Sequence, residues 1–254
     1  MYNLVDLTDR RIIVAGASSG IGRKTAVTLS RLGAKIVLIA RREELLQEVL
    51  HELDGDGHSY YVADLSDIES LDELVKKIVS EQGKMDGLVY AAGVNTSLPL
   101  NSFKPDKVMD VFKINFFGFV ELVRQLCRRG RFNEGMRIVG ISSVASIRGD
   151  KSHMAYSSSK AAMDSAVRCI AKEVADKGIC INTVAPAMTK TEMYSQYVND
   201  YGEESGSNQD LLKRQYLGLA ETEDIANVIA FLLSPAARFI TGLTLPVDGG
   251  LITN

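Results

Sequence analysis

Seven short, nearly continuous apolar runs separated by amphipathic segments constrain the fold of this chain more than any other feature. The runs cover 12–15, 36–40, 59–62, 87–91, 137–142, 179–184 and 243–247. A strand with one wet face alternates apolar and polar residues. Runs without that alternation predict strands buried on both faces, as in a parallel sheet covered by helices. Between the runs, Leu45, Leu46, Val49, Leu50 and Leu53 recur at helical spacing, and so do Ile68, Leu71, Leu74, Val75, Ile78 and Val79. Ser66, with Glu69 three residues on, predicts a capping box for the second of these helices. Helical patterns also follow the first run through about Leu32 and cover 107 to about 129, 155–176 and 222–233. Strand–helix alternation of this kind implies right-handed βαβ units. The expected fold class is therefore α/β: a Rossmann-type doubly wound sandwich with a central seven-stranded parallel sheet flanked by helices. No repeat or linker interrupts the pattern, so residues 1–254 are read as a single domain.

One stretch breaks the alternation. From 187 to about 216 the chain is polar and its apolar residues are irregularly spaced, with Tyr194, Tyr197, Tyr201 and Tyr216 and a glycine- and serine-containing run at 202–208. It follows a predicted strand, and ligands of open α/β sheets bind beyond strand carboxyl ends. A substrate lid is the expectation.

Composition narrows the class of function. A net charge of −3 implies no basic face for nucleic acid. No run of about 18 apolar residues predicts a membrane span, and the amino terminus has no signal-peptide pattern. Cys127, Cys169 and Cys180 are odd in number and form no CxxC pair. They read as small core residues of a chain in a reducing cytoplasm. His51, His58 and His153 are scattered without ligand spacing, so no metal site is expected.

The first run leads into Gly16-Ala17-Ser18-Ser19-Gly20-Ile21-Gly22 and then a helix. Glycines at a strand–helix junction permit a tight turn and the close approach of a pyrophosphate, which the free N–H groups of the helix start can hold. The spacing is GxxxGxG. An NAD site places an acid about 20 residues further on, for the ribose 2′-hydroxyl. Here the second strand ends in Arg41 and Arg42, and the first acid is Glu43. An arginine grips a 2′-phosphate where a carboxylate repels it. Arg41, with Arg42 in support, is thus read as a determinant of NADP(H), with NAD(H) as the other cofactor.

Tyr156 and Lys160 lie four apart on a predicted helix, which sets both on one face. A nearby ammonium favours the phenolate and is expected to lower the tyrosine pKa toward neutrality, suiting proton exchange with a carbonyl or alcohol oxygen. Ser143 ends another predicted strand, where its hydroxyl can donate to a substrate oxygen. Asn115 interrupts an apolar helical stretch. It can hold a water or a backbone group near the lysine, or be a satisfied core amide.

Together these residues resemble the short-chain dehydrogenase/reductase family, in its single-domain branch, over nearly the whole chain. The family's TGxxxGxG corresponds to Ala15-Gly16 through Gly22, its helix asparagine to Asn115, and its YxxxK to Tyr156 and Lys160. Its serine thirteen residues before the tyrosine corresponds to Ser143. The resemblance implies further contacts to the cofactor from Asp64 and Leu65 at the adenine, from Ala92 and Gly93, from Pro186, and from Thr191 at the nicotinamide carboxamide. It implies hydride transfer between NADP(H) and a carbonyl or alcohol, with Tyr156 as proton donor. Ser143 polarises the substrate oxygen, Lys160 binds the nicotinamide ribose, and Asn115 positions a relay water. A homotetramer or homodimer is likewise implied. Two positions depart from the pattern: the threonine is Ala15, and NNAG reads Tyr90-Ala91-Ala92-Gly93, so both ends of a contact made in relatives are changed. The glycine of the Pro-Gly segment is Ala187.

Two other functions compete. A 3-oxoacyl-acyl-carrier-protein reductase would need a basic docking patch beside the active-site mouth, for which Arg124, Arg128, Arg129, Arg131 and Lys177 are the candidates, opposed by Glu134 and the acidic stretch 200–204. A non-catalytic dinucleotide-binding regulator would be expected to lack the tyrosine or the lysine, and both are present.

Overall fold

The computed structural model describes residues 4–201 and 212–253. The run at 202–208 lies outside the described residues. Among those described, seven strands form one parallel sheet: β1 (Arg11–Ala15), β2 (Lys35–Ala40), β3 (Ser59–Val62), β4 (Met85–Tyr90), β5 (Phe132–Ile141), β6 (Cys180–Pro186) and β7 (Thr244–Val247), in the order β3-β2-β1-β4-β5-β6-β7. This is the doubly wound sheet expected. β5 starts five residues before the apolar run, because Phe132 pairs with Met85 across an irregularity between Met85 and Gly87.

The helices are α1 (Gly20–Arg31), α2 (Glu43–Glu52), α3 (Leu71–Gln82), α4 (Pro105–Phe112), α5 (Gly118–Leu126), α6 (Ala145–Arg148), α7 (Met154–Val174), α8 (Glu192–Tyr201) and α9 (Thr222–Leu233). They cover both faces. Ile12 and Val14 point into a core with Leu29 of α1, Leu46 of α2 and Ile229 of α9. Ile13 and Ala15 point into the opposite core with Val75 of α3, Leu122 of α5 and Val167 of α7. Each fully buried Leu or Ile contributes roughly 1.5–3 kcal/mol by leaving water, so strands apolar at every position have both layers to stabilise.

Three local expectations are corrected. Ser66 caps no helix: its N–H and hydroxyl both donate to Asp64 Oδ1, at 2.9 and 2.7 Å, and α3 begins only at Leu71 after a short 3-10 turn at Ile68–Ser70. The neighbouring carboxylate is the nearer and stronger acceptor. The helix expected over 107 to about 129 is α4 and α5 joined by a π-helix, Lys113–Phe117, and it stops at Leu126. The lid stretch is not loop throughout, since it contains α8.

Candidate active site

The sheet order reverses direction between β1 and β4, with β2 and β3 on one side and β5, β6 and β7 on the other. Beyond the strand carboxyl ends at such a point a crevice must open, because consecutive helices leave to opposite faces. A cavity of about 710 Å³ opens there.

At one end it is lined by the glycine-rich turn: Gly16, Ser18, Ser19, Gly20, Ile21 and Gly22. Gly16 has φ +85°, and a Cβ on it would overlap the Ala92 backbone nitrogen, so β1 and β4 approach as closely as their backbones allow. Ser19 stands at the α1 N-cap and makes no side-chain capping bond. The first-turn N–H groups of α1 are therefore left to an anion at the positive end of the helix. Arg42 lies on this turn, donating to Ser18 Oγ at 3.0 Å and Ser19 Oγ at 3.2 Å. Arg41 is exposed and lies 4.0 Å from Asp64. The sequence reading put Arg41 first; the geometry gives Arg42 the contact with the turn. This glycine-floored cradle, with Arg42 lying on it, fits a dinucleotide pyrophosphate.

Asp64 lies between Ala63 and Leu65, which line the cavity, with its side chain half-exposed and 4.0 Å from Arg41. Its Oδ1 accepts from Ser66, and that backbone hydrogen bond holds its carboxyl below the usual range.

Ala92 and Gly93 line the middle, and Ser143, Tyr156, Lys160, Pro186 and Thr191 line the other end. Ser143 follows β5, and its Oγ accepts from the Ala145 N–H at 3.1 Å, which leaves its proton to donate. Tyr156 and Lys160 stand one turn apart on α7, with Lys160 Nζ 5.9 Å from the Tyr156 ring centre. Lys160 is buried and donates to the Ile141 carbonyl at 2.6 Å.

The expected depression of the tyrosine pKa is not found in the protein alone. Burial pushes the Tyr156 phenol up, against the lowering effect of its hydrogen bond to Ser143. Burial also pulls Lys160 down to about 8, with Asp164 acting the other way. Both shifts have one cause: a low-polarity floor disfavours each charged form.

Asn115 lies outside the cavity, behind Gly93, and is fully buried. Its Oδ1 accepts from the Val94 N–H at 2.8 Å, and its Nδ2 donates to the Val94 carbonyl and to Ser159 Oγ, both at 3.0 Å. Of the roles open to it, the backbone-holding one is realised. A Cβ on Gly93 would sit 3.2 Å from Asn115 Oδ1 and 3.3 Å from Lys160 Nζ, so both groups converge on that glycine.

Sequence reasoning missed the residues that hold this arrangement. Gln215 is buried; its Oε1 accepts from the Met188 N–H at 3.2 Å, and its Nε2 donates to the carbonyls of Met188 (3.0 Å) and Gly218 (2.7 Å), fastening the two ends of the lid stretch. Nothing in its polar surroundings marks it out. Arg148 and Asp150, 3.1 Å apart, and His153 line the cavity near Tyr156. The candidate acyl-carrier patch lies elsewhere: Arg128, Arg129 and Arg131 precede the amino end of β5, opposite the cavity. Arg128 and Arg131 pair with Asp72, and Arg124 with Glu121.

A doubly wound parallel sheet with a glycine-rich turn and a Ser–Tyr–Lys cluster at one crevice defines a dinucleotide-dependent oxidoreductase. Residues 16–252 match the family model described as "Enoyl-(Acyl carrier protein) reductase". The chain is 32% identical to an L-xylulose reductase of Caenorhabditis elegans over 98% of both chains. It is 32% identical to the 3-oxoacyl-acyl-carrier-protein reductase FabG of Rickettsia conorii over 98% of this chain and 99% of the other. A dehydrogenase/reductase from Sinorhizobium meliloti superposes with a TM-score of 0.89 at 29% identity, over 98% and 97% of the two chains. The chain belongs to the short-chain dehydrogenase/reductase family, and is an oxidoreductase of that family.

Proposed function

We propose that residues 1–254 act as one domain that transfers hydride between NADP(H) and a small carbonyl or alcohol substrate. The observation that carries this reading is the meeting of Ser143, Tyr156 and Lys160 with the glycine-rich turn and two arginines in one cavity. The turn, Arg41, Arg42 and Leu65 would hold the adenosine and phosphate half; Ala92, Gly93, Pro186, Thr191 and Lys160 would hold the nicotinamide half. The bound cofactor supplies or accepts the hydride. Ser143 donates a hydrogen bond to the substrate oxygen, where negative charge develops. Tyr156 gives that oxygen its proton in reduction and takes it in oxidation. Lys160, desolvated beside the phenol, favours the phenolate whenever it is itself charged. Asn115 keeps the Gly93–Val94 segment against Lys160.

Exposed Met109 of α4, Phe117 of the π-helix and Met154 of α7 support self-association as a homodimer or homotetramer. Three free cysteines suit a reducing cytoplasm. Among the described residues, no helix is long and apolar enough to cross a membrane.

The test is an assay of NADPH and NADH oxidation with ketones, keto-esters and open-chain sugars, run on the wild type and Tyr156→Phe. The expected result is NADPH-preferring turnover that falls by about 100-fold or more in the variant, with dinucleotide affinity within about twofold. Turnover retained by Tyr156→Phe would remove the tyrosine from the reaction.

A further inference from the structure

Tyr90 closes β4 with no exposed surface. Its ring meets Phe119 edge to face at 5.5 Å. Burial drives its hydroxyl far above the ordinary phenol range, so the group is a neutral donor. It donates to the Ile114 carbonyl at 2.6 Å.

That carbonyl needs a donor for a reason visible in the helix. In a regular α-helix the Ile114 carbonyl accepts from the Gly118 N–H. Here the Gly118 N–H goes to the Lys113 carbonyl, one residue further back, and this bond makes the turn a π-helix. The Ile114 carbonyl has lost its α-helical donor, and a buried acceptor left unpaired is unfavourable. Tyr90 supplies the replacement. Gly118 completes the fit: a Cβ there would overlap the Leu65 carbonyl oxygen and sit 2.6 Å from the Tyr90 hydroxyl. The residue after Ile114 is Asn115, whose amide clasps Val94 and Ser159. The extra residue in the turn rotates Asn115 relative to its place in an uninterrupted α-helix.

We propose that the Tyr90 hydroxyl is a positioning group for the active site: by occupying the Ile114 carbonyl it keeps the π turn that aims Asn115 at Val94 and Ser159 beside Lys160. The proposal rests on the assignment of Asn115 to the site made above. It gives a use to the tyrosine that stands at the first position of the NNAG segment.

A double-mutant cycle of Tyr90→Phe and Asn115→Ala tests it, with kcat, KM and dinucleotide affinity measured for all four proteins. Tyr90→Phe keeps the ring against Phe119 and removes only the hydroxyl. Expected is a fall in kcat of about tenfold, with KM and dinucleotide affinity within about twofold, and no further fall when Tyr90→Phe is added to Asn115→Ala. A tyrosine that only supports the core would lower stability and leave kcat alone, or lower kcat equally in both backgrounds. Either result overturns the proposal. If Asn115→Ala itself leaves kcat unchanged, the assignment of Asn115 falls, and the proposal with it. If Asn115→Ala is impaired and Tyr90→Phe is silent, only the proposal falls. Should Tyr90→Phe fail to fold, NMR of the wild type decides: a slowly exchanging Tyr90 hydroxyl proton is expected, and one that exchanges freely with water overturns the proposal.

Discussion

Lys160 carries two demands that oppose each other. Its ammonium must stand against the active-site floor, and burial there pulls its pKa from 10.5 to about 8. A lysine whose folded-state pKa is lowered makes stability rise with pH wherever the unfolded chain keeps a proton that the folded chain gives up. Below pH 8 the full penalty is present; between pH 8 and 10.5 it fades, so stability rises with pH through that window. Lys160→Met removes the penalty and also the hydrogen bond to Ile141. The variant should be more stable than wild type at pH 7 by about 2 kcal/mol, with the gap closing by pH 10.5 and activity lost. Chemical denaturation at pH 7, 9 and 10.5 checks this, and a constant gap would contradict the linkage. Arg42 offers a second residue-scale test. It bridges the serines of the turn while Arg41 faces Asp64. Arg42→Ala is expected to raise KM for NADPH about tenfold or more and KM for NADH by less than about threefold, as read by steady-state kinetics. Equal effects would leave the 2′-phosphate without its grip.

Among the elements, the strands were legible and the irregularities were not. Runs such as 36–40 are apolar at every residue because α1, α2 and α9 cover one face and α3, α5 and α7 the other, so burial itself writes the signal. The serine, tyrosine and lysine were equally readable, since their spacing survives folding onto one helix and one strand end. The π turn left no trace, because inserting one residue near Ile114, Phe116 and Phe117 still gives an apolar stretch. The cap at Ser66 misled because a spacing rule does not see Asp64 taking the Ser66 N–H that Glu69 would have accepted. Gln215 was invisible for a different reason: its partners are backbone atoms of Met188 and Gly218, and backbone partners have no residue type. Gln215→Ala leaves the buried polar groups of Met188 without those partners, a loss of about 2–3 kcal/mol. The expected outcome is faster limited proteolysis within the lid stretch and a several-fold higher substrate KM, with dinucleotide affinity unchanged. Gly118→Ala forces a methyl into the Leu65 carbonyl and is expected to destabilise by about 3 kcal/mol in thermal melts.

At the scale of the whole molecule, the cavity touches strand ends on both sides of the point where the sheet order reverses. A ligand bound there bridges the β1–β2 half and the β4–β6 half. At a concentration of about 100 Kd such a ligand stabilises the folded state by about 2.7 kcal/mol, which for a chain of this size raises Tm by roughly 5–10 °C. NADPH should give this rise and NADH a smaller one at equal concentration; identical shifts by calorimetry would argue against a phosphate-selective cradle. The Gln215 clasp has a last consequence. One amide, that of Gln215, ties position 188 to positions 215 and 218, so a change confined to the interval between 201 and 212 is expected to leave Ser143, Tyr156 and Lys160 in place. Peptides of foreign sequence spliced after residue 201 are therefore expected to change substrate KM and leave dinucleotide affinity as it was.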